Sequence, residues 1–343
     1  MSPKIEDLLS YRRPHGSPGE AAFNKRFIYP IAQEVVQEKT KDGHEVHAFI
    51  HRIPQPNGVE SNIAFVAHVD SVHNRQDPVE RQKISFDSAR EEFFVGEGVK
   101  DCLGADDAAG VYVLLNMIEA KVPGMYVFFR GEERGGIGSS WVTENRRDLF
   151  KKIDVAIQFD RRGNKSIITQ MMCGRTCSDE FAESLSDLLG MGHVNDDSGS
   201  FTDTANLASI VRECTNVSVG YRHEHSRNEI LDWAYLQKLT AACIKAFAQP
   251  DLGLQIEREA GDFSTGGGFA EMSDSDLMEW ILENSPNQMF FALQRMRDEA
   301  RRFHHIYGTS PNMSLDDDED EWDYHSSLYP STNGRSARRN HLR

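Results

Sequence analysis

Short apolar runs alternate with amphipathic segments along the first 250 residues of the chain. Apolar runs and period-two alternation predict strands over residues 46–53, 63–66, 92–95, 125–129, 153–159, 166–170 and 216–219. Apolar positions at helical spacing predict helices over residues 17–35, 104–118, 178–189 and 230–247. Strands that alternate with helices are typical of α/β proteins. The pattern therefore predicts a three-layer α/β sandwich, in which helices flank a largely parallel mixed central sheet.

The first predicted helix has a well-defined start. Ser17 is suited to cap it, Pro18 suits its first turn, and Glu20 lies three residues after the cap. Apolar residues follow at positions 23, 27, 31 and 35, with a kink expected at Pro30. The polar stretch of residues 75–90 predicts a loop.

Acidic and histidine residues follow several predicted strands directly; they are His68, Glu132, Glu133 and Asp160. Functional sites in parallel α/β sheets gather beyond the carboxyl ends of the strands. Asp106 adds a carboxylate at the mouth of the helix over residues 104–118, where an Asp also serves as an ordinary cap. We therefore expect these side chains to form one site.

These residue types match a hydrolytic zinc pair, which needs two nitrogen ligands, three carboxylates (one of them shared) and a free carboxylate as general base. His68 would bind one ion while Asp70 holds its other ring nitrogen. Asp106 would bridge the ions. Glu133 and Asp160 would each complete one ligand set, a later histidine would complete the second, and Glu132 would be the base.

Composition and charge exclude other classes of protein. The 343 residues include 54 acidic and 38 basic ones, for a formal charge of −16, whereas nucleic-acid phosphates demand a basic face. No apolar run approaches the roughly 20 residues of a membrane span, and the polar N-terminus carries no secretory signal. Five scattered cysteines fit reduced thiols. We expect a cytoplasmic protein that binds neither nucleic acid nor membrane.

Five ordered motifs resemble those of the co-catalytic di-zinc exopeptidases of clan MH, the aminopeptidase and tripeptidase-like families. They are residues 67–70 (His-x-Asp), 103–110 (Leu-Gly-Ala-Asp-Asp-x-Ala-Gly), 129–138 (Glu-Glu-x-Gly-x-x-Gly), 159–160 (a strand-end Asp) and 221–229 (Tyr-x-x-x-His-Ser-x-x-Glu). The resemblance implies two Zn²⁺ ions, or Mn²⁺ or Co²⁺ in their place. It implies as ligands His68, Asp106 as the bridge, Glu133, Asp160 and His225, with Asp70 in support and Glu132 as base.

Several assignments stay open within this resemblance. Asp107 competes with Asp106 as the bridge, although the motif favours Asp106. His223 competes with His225, which directly precedes Ser226 and is preferred for that reason. Asp203 lies in a stretch similar to the family's substrate loop and is expected to support a ligand or contact substrate.

Two features bear on domain organisation. Only 64 residues separate Asp160 from His225, so the resemblance implies a form without the lid domain that many relatives insert there. We expect a catalytic domain over residues 1–250, a helical extension over residues 251–310 and a disordered acidic and basic tail over residues 311–343. The extension either packs on the core or docks a protein partner.

The leading hypothesis is a zinc-dependent exopeptidase, aminopeptidase-like, that hydrolyses short peptides. A carboxypeptidase or an N-acyl amino-acid deacylase would use the same metal centre on a peptide or an acylated amino acid. A non-catalytic binding module that retains the fold is the rival from another class. An intact ligand set together with Glu132 favours the enzyme.

Overall fold

A computed structural model describes residues 3–41, 43–77 and 79–263 of the chain. Apart from residues 251–263, the predicted C-terminal extension and tail lie outside the described residues. The prediction that the extension docks a protein partner rests on the same segment and stays a prediction. The domain boundary at residue 250 stays a prediction.

The secondary structure follows the predicted alternation of strands and helices. The described strands are β1 (Glu34–Thr40), β2 (Gly43–Ile53), β3 (Ile63–His68), β4 (Ile84–Asp87), β5 (Glu92–Val95), β6 (Gly124–Phe129), β7 (Val155–Arg161), β8 (Ser166–Ile168), β9 (Gln170–Met171), β10 (Gly174–Arg175), β11 (Val194–Asp196), β12 (Glu213–Ser218), β13 (Tyr221–Arg222) and β14 (Ile230–Asp232). The described α-helices are α1 (Ile5–Leu9), α2 (Pro18–Phe23), α3 (Ala105–Glu119), α4 (Ile137–Asn145), α5 (Asp179–Leu189), α6 (Asp203–Leu207) and α7 (Trp233–Phe247).

Eight strands form the central sheet in the order β1-β2-β6-β3-β7-β12-β8-β11. The neighbours β6, β3, β7 and β12 are parallel, whereas β1, β2 and β6 pair antiparallel, as do β12 and β8. The predicted mixed, largely parallel sheet is confirmed. The carboxyl ends of β6, β3 and β7 consequently lie side by side at one end of the sheet.

Helices cover both faces of this sheet. Along β3, Phe65 and Ala67 pack in one apolar cluster with residues of α3 and α7. The alternate residues Ala64 and Val66 pack in a second cluster with residues of α4 and α6. All six residues of β3 are buried, which explains why its first five residues form an unbroken apolar run. The predicted three-layer sandwich is confirmed.

The predicted first helix is wrong in its second half. Ser17 does cap α2, because its hydroxyl accepts the N–H of Glu20 at 3.1 Å. The helix ends at residue 23, a π-helical turn runs from Asn24 to Ile28, and residues 34–40 pair with β2 as strand β1. Pro30 lacks the N–H that a continued helix needs, and β-branched Val35 suits a strand.

A second sheet has four strands in the order β13-β14-β5-β4. Strand β4 lies within residues 75–90, so the prediction of a loop is wrong over Ile84–Asp87. Strand β14 occupies the start of the helix predicted over residues 230–247. Helix α7 begins only at Trp233, where the carboxylate of Asp232 accepts the N–H of Tyr235 at 2.9 Å as its cap.

Residues 251–263 pack against the preceding part of the described fold. Leu252, Leu254 and Ile256 contact the first apolar cluster. Arg258 is 5% exposed and donates to the carbonyls of Ala208 and Val211 at 3.0 and 3.2 Å. Across the described residues, no helix is long and apolar enough to cross a membrane.

Replacing Phe65 should test the layer between the sheet and α7. Its ring lies 4.8 Å from that of Phe247 and 5.3 Å from that of Tyr126, so Phe65→Ala should lower the free energy of unfolding by about 3–5 kcal/mol. The exposed control Val59→Ala should change it by no more than about 0.5 kcal/mol. Equal urea midpoints for the two variants would contradict this packing.

Candidate metal centre

Three neighbouring parallel strands bring the predicted ligands to one end of the sheet. His68 is the last residue of β3, and Asp160 lies near the end of β7. Glu132 and Glu133 begin a short 3₁₀ turn directly after β6. The remaining residues come from elsewhere, since Asp106 begins α3 and His225 lies in the turn between β13 and β14.

Asp106 lies between the two histidines. Its Oδ1 is 3.0 Å from Nε2 of His68, and its Oδ2 is 3.1 Å from Nε2 of His225. On one side, Oδ1 of Asp160 is 3.5 Å from Nε2 of His68. On the other side, Oε2 of Glu133 is 3.2 Å from Nε2 of His225. The five side chains predicted as metal ligands are therefore brought together.

Two groups of potential ligand atoms share Asp106, with the atoms of each group within 4.8 Å of one another. One group is His68, Asp106 and Asp160, and the other is Asp106, Glu133 and His225. A third group joins His68 with Glu132 and Glu133. Imidazole nitrogens combined with carboxylate oxygens are a donor set that suits Zn²⁺.

Asp70 holds the loop after β6 in place. Its Oδ1 accepts the N–H groups of Gly131 and Glu132 at 2.9 and 3.1 Å, and its Oδ2 accepts that of Glu133 at 3.3 Å. The same Oδ1 is 3.5 Å from Nδ1 of His68. Asp70 is fully buried. It thus contacts the predicted ligand His68 and orients the backbone beneath both glutamates.

Asp107 points away from the histidine rings. Its Oδ2 accepts the backbone N–H of His68 at 3.1 Å, and its Oδ1 accepts that of Gly110 at 2.9 Å. A Cβ on Gly110 would lie 2.1 Å from the carbonyl oxygen of Phe159, so a glycine lets the start of α3 reach the end of β7. Asp107 therefore acts as a backbone clamp, and Asp106 is the residue that faces both histidines.

His223 is exposed, and its carbonyl oxygen accepts the hydroxyl of Ser226 at 2.7 Å. The ring of His225, two residues later, is the one that reaches Asp106 and Glu133. Of the two histidines that the sequence left open, His225 is thus the one at the cluster.

Residues that the sequence analysis gave no role fix Asp160. The hydroxyl of Thr202 donates to its Oδ2 at 2.9 Å, and the hydroxyl of Tyr221 donates to its Oδ1 at 3.1 Å. The side chain of Asn216 bonds both its N–H and its carbonyl oxygen. Tyr221 stands in the quoted motif, but nothing local marks Thr202 or Asn216. Asp203, fully buried beside Thr202, keeps its predicted supporting or substrate role as a prediction.

Glu229 was also missed, although it ends the last motif. It is 1% exposed, and its two oxygens accept the N–H groups of Gly104 and Asp106 at 2.9 and 3.1 Å. It thereby connects the turn that carries His225 to the start of α3.

The cluster holds more negative than positive groups. Burial and the charge of Asp106 raise the pKa of Asp160 to about 7. Burial and the charges of Glu133 and Asp160 raise the pKa of Glu132 well above its usual range. Burial lowers the pKa of His68 and of His225, but the surrounding carboxylates outweigh it and raise both well above the ordinary value. Oε1 of Glu133 is buried without a hydrogen-bond partner among the described residues. A divalent cation fits this donor set.

The donor set of the cluster is that of a metallohydrolase. The sequence matches Peptidase family M28 over residues 49–245, more than half of its length. The chain belongs to this family, which is zinc-dependent, and is a metallopeptidase. A comparison with curated protein sequences found no significant match.

Solved structures share the fold at low sequence identity. The aminopeptidase PepT of Bacillus cereus is 16% identical with a TM-score of 0.54, and 71% of this chain covers 96% of that one. A tripeptidase of Staphylococcus aureus is 13% identical, with the same TM-score of 0.54 and coverages of 71% and 96%. A TET aminopeptidase of a marine-sediment Thaumarchaeota archaeon is 14% identical with a TM-score of 0.52 and coverages of 73% and 96%. The clan MH fold expected from the motifs is confirmed.

The neighbouring aspartates allow a matched test of the bridge. Asp106→Asn should weaken metal binding at both positions, by more than the ~10–100-fold typical of losing a group that only supports a ligand. Asp107→Asn should keep the wild-type number of ions, because its carboxylate bonds backbone N–H groups. Metal content per chain is measured after reconstitution and dialysis. Loss of both ions from Asp107→Asn alone would exchange the two assignments.

Metal binding should release protons and strengthen as the pH rises. Without metal, the surrounding carboxylates raise the pKa of His68 and of His225 well above the ordinary value, and burial raises the pKa of Asp160 to about 7. A bound ion requires all three groups to be deprotonated, so the affinity should rise as the pH passes through about 7 and should continue to rise toward the raised pKa of the histidines. Calorimetric titration with Zn²⁺ in buffers of different ionisation enthalpy counts the protons. An affinity that rises toward acid pH would contradict this assignment.

Proposed function

We propose that this metallopeptidase is a di-metal exopeptidase, aminopeptidase-like, that hydrolyses short peptides. The observation that carries the proposal is the position of Asp106, whose two oxygens lie 3.0 and 3.1 Å from the ring nitrogens of two different histidines. A carboxylate shared by two ligand sets is the arrangement of a two-metal hydrolytic site.

Each ion would have its own ligands besides the shared Asp106. His68 and Asp160 would hold one Zn²⁺, and Glu133 and His225 would hold the other. Mn²⁺ or Co²⁺ would bind the same nitrogen and oxygen donors with a different affinity. Asp70 would keep His68 oriented and the loop of Glu133 in register. The wild-type protein should therefore bind two ions per chain.

Glu132 would serve as the general base. Metal ions held by these residues would supply Lewis-acid chemistry, which lowers the pKa of water and polarises a carbonyl. Oε2 of Glu132 lies 4.0 Å from Nε2 of His68, so the carboxylate borders the cluster without being needed in either ligand set. It would accept the proton of the attacking water and pass it to the leaving amine.

Three other functions use some of the same features. A carboxypeptidase or an N-acyl amino-acid deacylase would share the metal centre, and a binding module would share only the fold. The complete ligand set, together with Glu132, supports an enzyme over the module. Two proteins of similar fold are an aminopeptidase and a tripeptidase. This supports short peptides with a free amine as the substrates.

A panel of matched peptides separates the remaining choices. The same tripeptides are offered with a free amine, with an acetylated amine and with an amidated carboxyl end, and released amino acids are identified. An aminopeptidase should cleave the free-amine and amidated forms and leave the acetylated one. Cleavage of only the acetylated substrate would establish a deacylase, and sensitivity to amidation would establish a carboxypeptidase.

Variants of the adjacent glutamates should differ in metal content. Glu132→Gln should keep the wild-type metal content and lower kcat by about 10²–10⁴-fold, because an amide of nearly equal size does not accept the proton. Glu133→Gln should lose metal and, with it, activity. Metal analysis and turnover are measured on the same samples. If Glu132→Gln loses metal while Glu133→Gln retains it, the two roles are reversed, and full activity in both would refute the peptidase mechanism.

A further inference from the structure

The residues before the family match reach three of the segments around the metal centre: the loop after β3, the loop after β6 and the start of α3. We call residues 11–20 the N-terminal brace; the match to family M28 begins at residue 49. The carbonyl oxygen of Arg13 accepts the N–H of Ser71, in the loop after β3, at 3.0 Å. The carboxylate of Glu20 accepts two 2.7 Å bonds from the guanidinium of Arg130, directly after β6. The brace is therefore part of the surroundings of the site.

Arg13 makes the central contact of the brace. Its side chain is fully buried. Its Nε donates to the carbonyl oxygen of Val69 at 2.9 Å, and its Nη2 donates to that of Gly104, also at 2.9 Å. Its Nη1 lies 3.4 Å from the carbonyl oxygens of Leu8 and Tyr11. One planar group thus joins two loops that are distant in sequence.

The two carbonyls belong to residues that carry the predicted ligands. Val69 lies between His68 and Asp70, and Gly104 lies two residues before Asp106. His68 and Asp106 are the pair whose side chains approach to 3.0 Å. The guanidinium therefore links the backbones of the same two segments whose side chains, His68 and Asp106, meet in the site.

The position also places a permanent cation behind a cluster of carboxylates. Burial lowers the pKa of Arg13, but the carboxylates of Asp107, Glu229 and Asp70 oppose this effect, and a guanidinium stays charged in proteins. Its fork of donors is rigid, whereas the ammonium of a lysine is a single point on a flexible stem. A lysine at position 13 would keep a positive charge, but its single ammonium would not bond the carbonyl oxygens of Val69 and Gly104 in the way that the two arms of the guanidinium do.

We propose that Arg13 is a positioning residue of the metal centre, which sets the spacing between the loop of His68 and Asp70 and the loop of Asp106. This inference rests on the proposed metal site. The N-terminal brace would then contribute to metal affinity. Arg13 would do so without contacting either the ion or the substrate.

Arg258 offers a matched control. It is another buried arginine whose guanidinium donates to backbone carbonyls, those of Ala208, Val211 and Arg175 among them. None of these carbonyls belongs to a loop with a predicted ligand. Arg13→Lys and Arg258→Lys should therefore both lower stability, and only the first should alter the metal centre.

The test is a titration of the metal-free full-length chains with Co²⁺, followed by visible absorption. Arg13→Lys should bind Co²⁺ about 10–100-fold more weakly, as expected when a group that supports a ligand is lost, and the absorption spectrum of the bound ion should change. Arg258→Lys should match the wild-type protein in affinity and spectrum. Wild-type behaviour of Arg13→Lys, or equal losses in both variants, would overturn the proposal.

A measurement on the wild-type protein serves if Arg13→Lys does not fold. Coupling is reciprocal, so metal binding should slow amide hydrogen exchange at Arg12 and Ser71. The N–H of Ser71 donates to the carbonyl oxygen of Arg13, and that of Arg12 donates to the carbonyl oxygen of Glu80. The amides of Glu257 and Arg258, which bond Glu213, should exchange at an unchanged rate. Unchanged exchange at Arg12 and Ser71 would refute the role of Arg13. A wild-type chain that binds no metal would instead refute the proposed function, and the positioning role with it.

Discussion

The structure depends on the way it accommodates buried carboxylates at one end of the central sheet. The buried ones are Asp70, Asp106, Asp107, Glu133, Asp160, Asp203 and Glu229. Backbone N–H groups satisfy several of them: Asp70 accepts three, Asp107 two and Glu229 two. These carboxylates hold loops together. Asp106, Glu133 and Asp160 face the two histidines instead, and burial without enough positive charge is costly unless a cation joins them. Buried carboxylates thus serve two purposes here: those that accept backbone N–H groups hold loops together, and those that face the histidines are available to a cation.

Much of the fold could be predicted because the central strands are buried on both faces. A short apolar run with polar flanks, such as that of β3, is typical of a buried strand. The residue that ends this run, His68, then lies at the carboxyl end of the sheet. The errors lie where a pattern is ambiguous. Apolar residues at positions 31 and 35 fit a helix by spacing, but Pro30 and the pairing of β1 with β2 decide for a strand. Strand β4 lies in a polar stretch, where its two apolar residues, Ile84 and Phe86, do not distinguish it from a loop.

The ligand candidates could be predicted from the ordered motifs, whereas their supports could not. Arg13 and Gly104 are 91 residues apart, and Thr202 and Asp160 are 42 apart. Contacts at such separations leave no periodicity in the sequence. Asp106 and Asp107 pose the opposite difficulty, because adjacent residues of one type are told apart only by the motif, which favours Asp106. Only the backbone at the start of α3, where both residues depart from helical geometry, turns one carboxylate toward the histidines and the other toward N–H groups.

The position of Asp106 follows from the meeting of two sheets. The central sheet presents His68, Glu133 and Asp160 at the ends of its parallel strands. The four-stranded sheet presents His225 in the turn between β13 and β14, and β14 pairs with β5, with Leu231 opposite Phe93. The chain leaves β5 toward Gly104 and Asp106, where Glu229 bonds both N–H groups. Each histidine thus belongs to a different sheet, and the carboxylate between them lies where the two sheets join. Because Glu229 connects the turn of His225 to the backbone of Asp106, a displacement of the small sheet would disturb the carboxylate that lies between the two histidines, and with it the contacts of both.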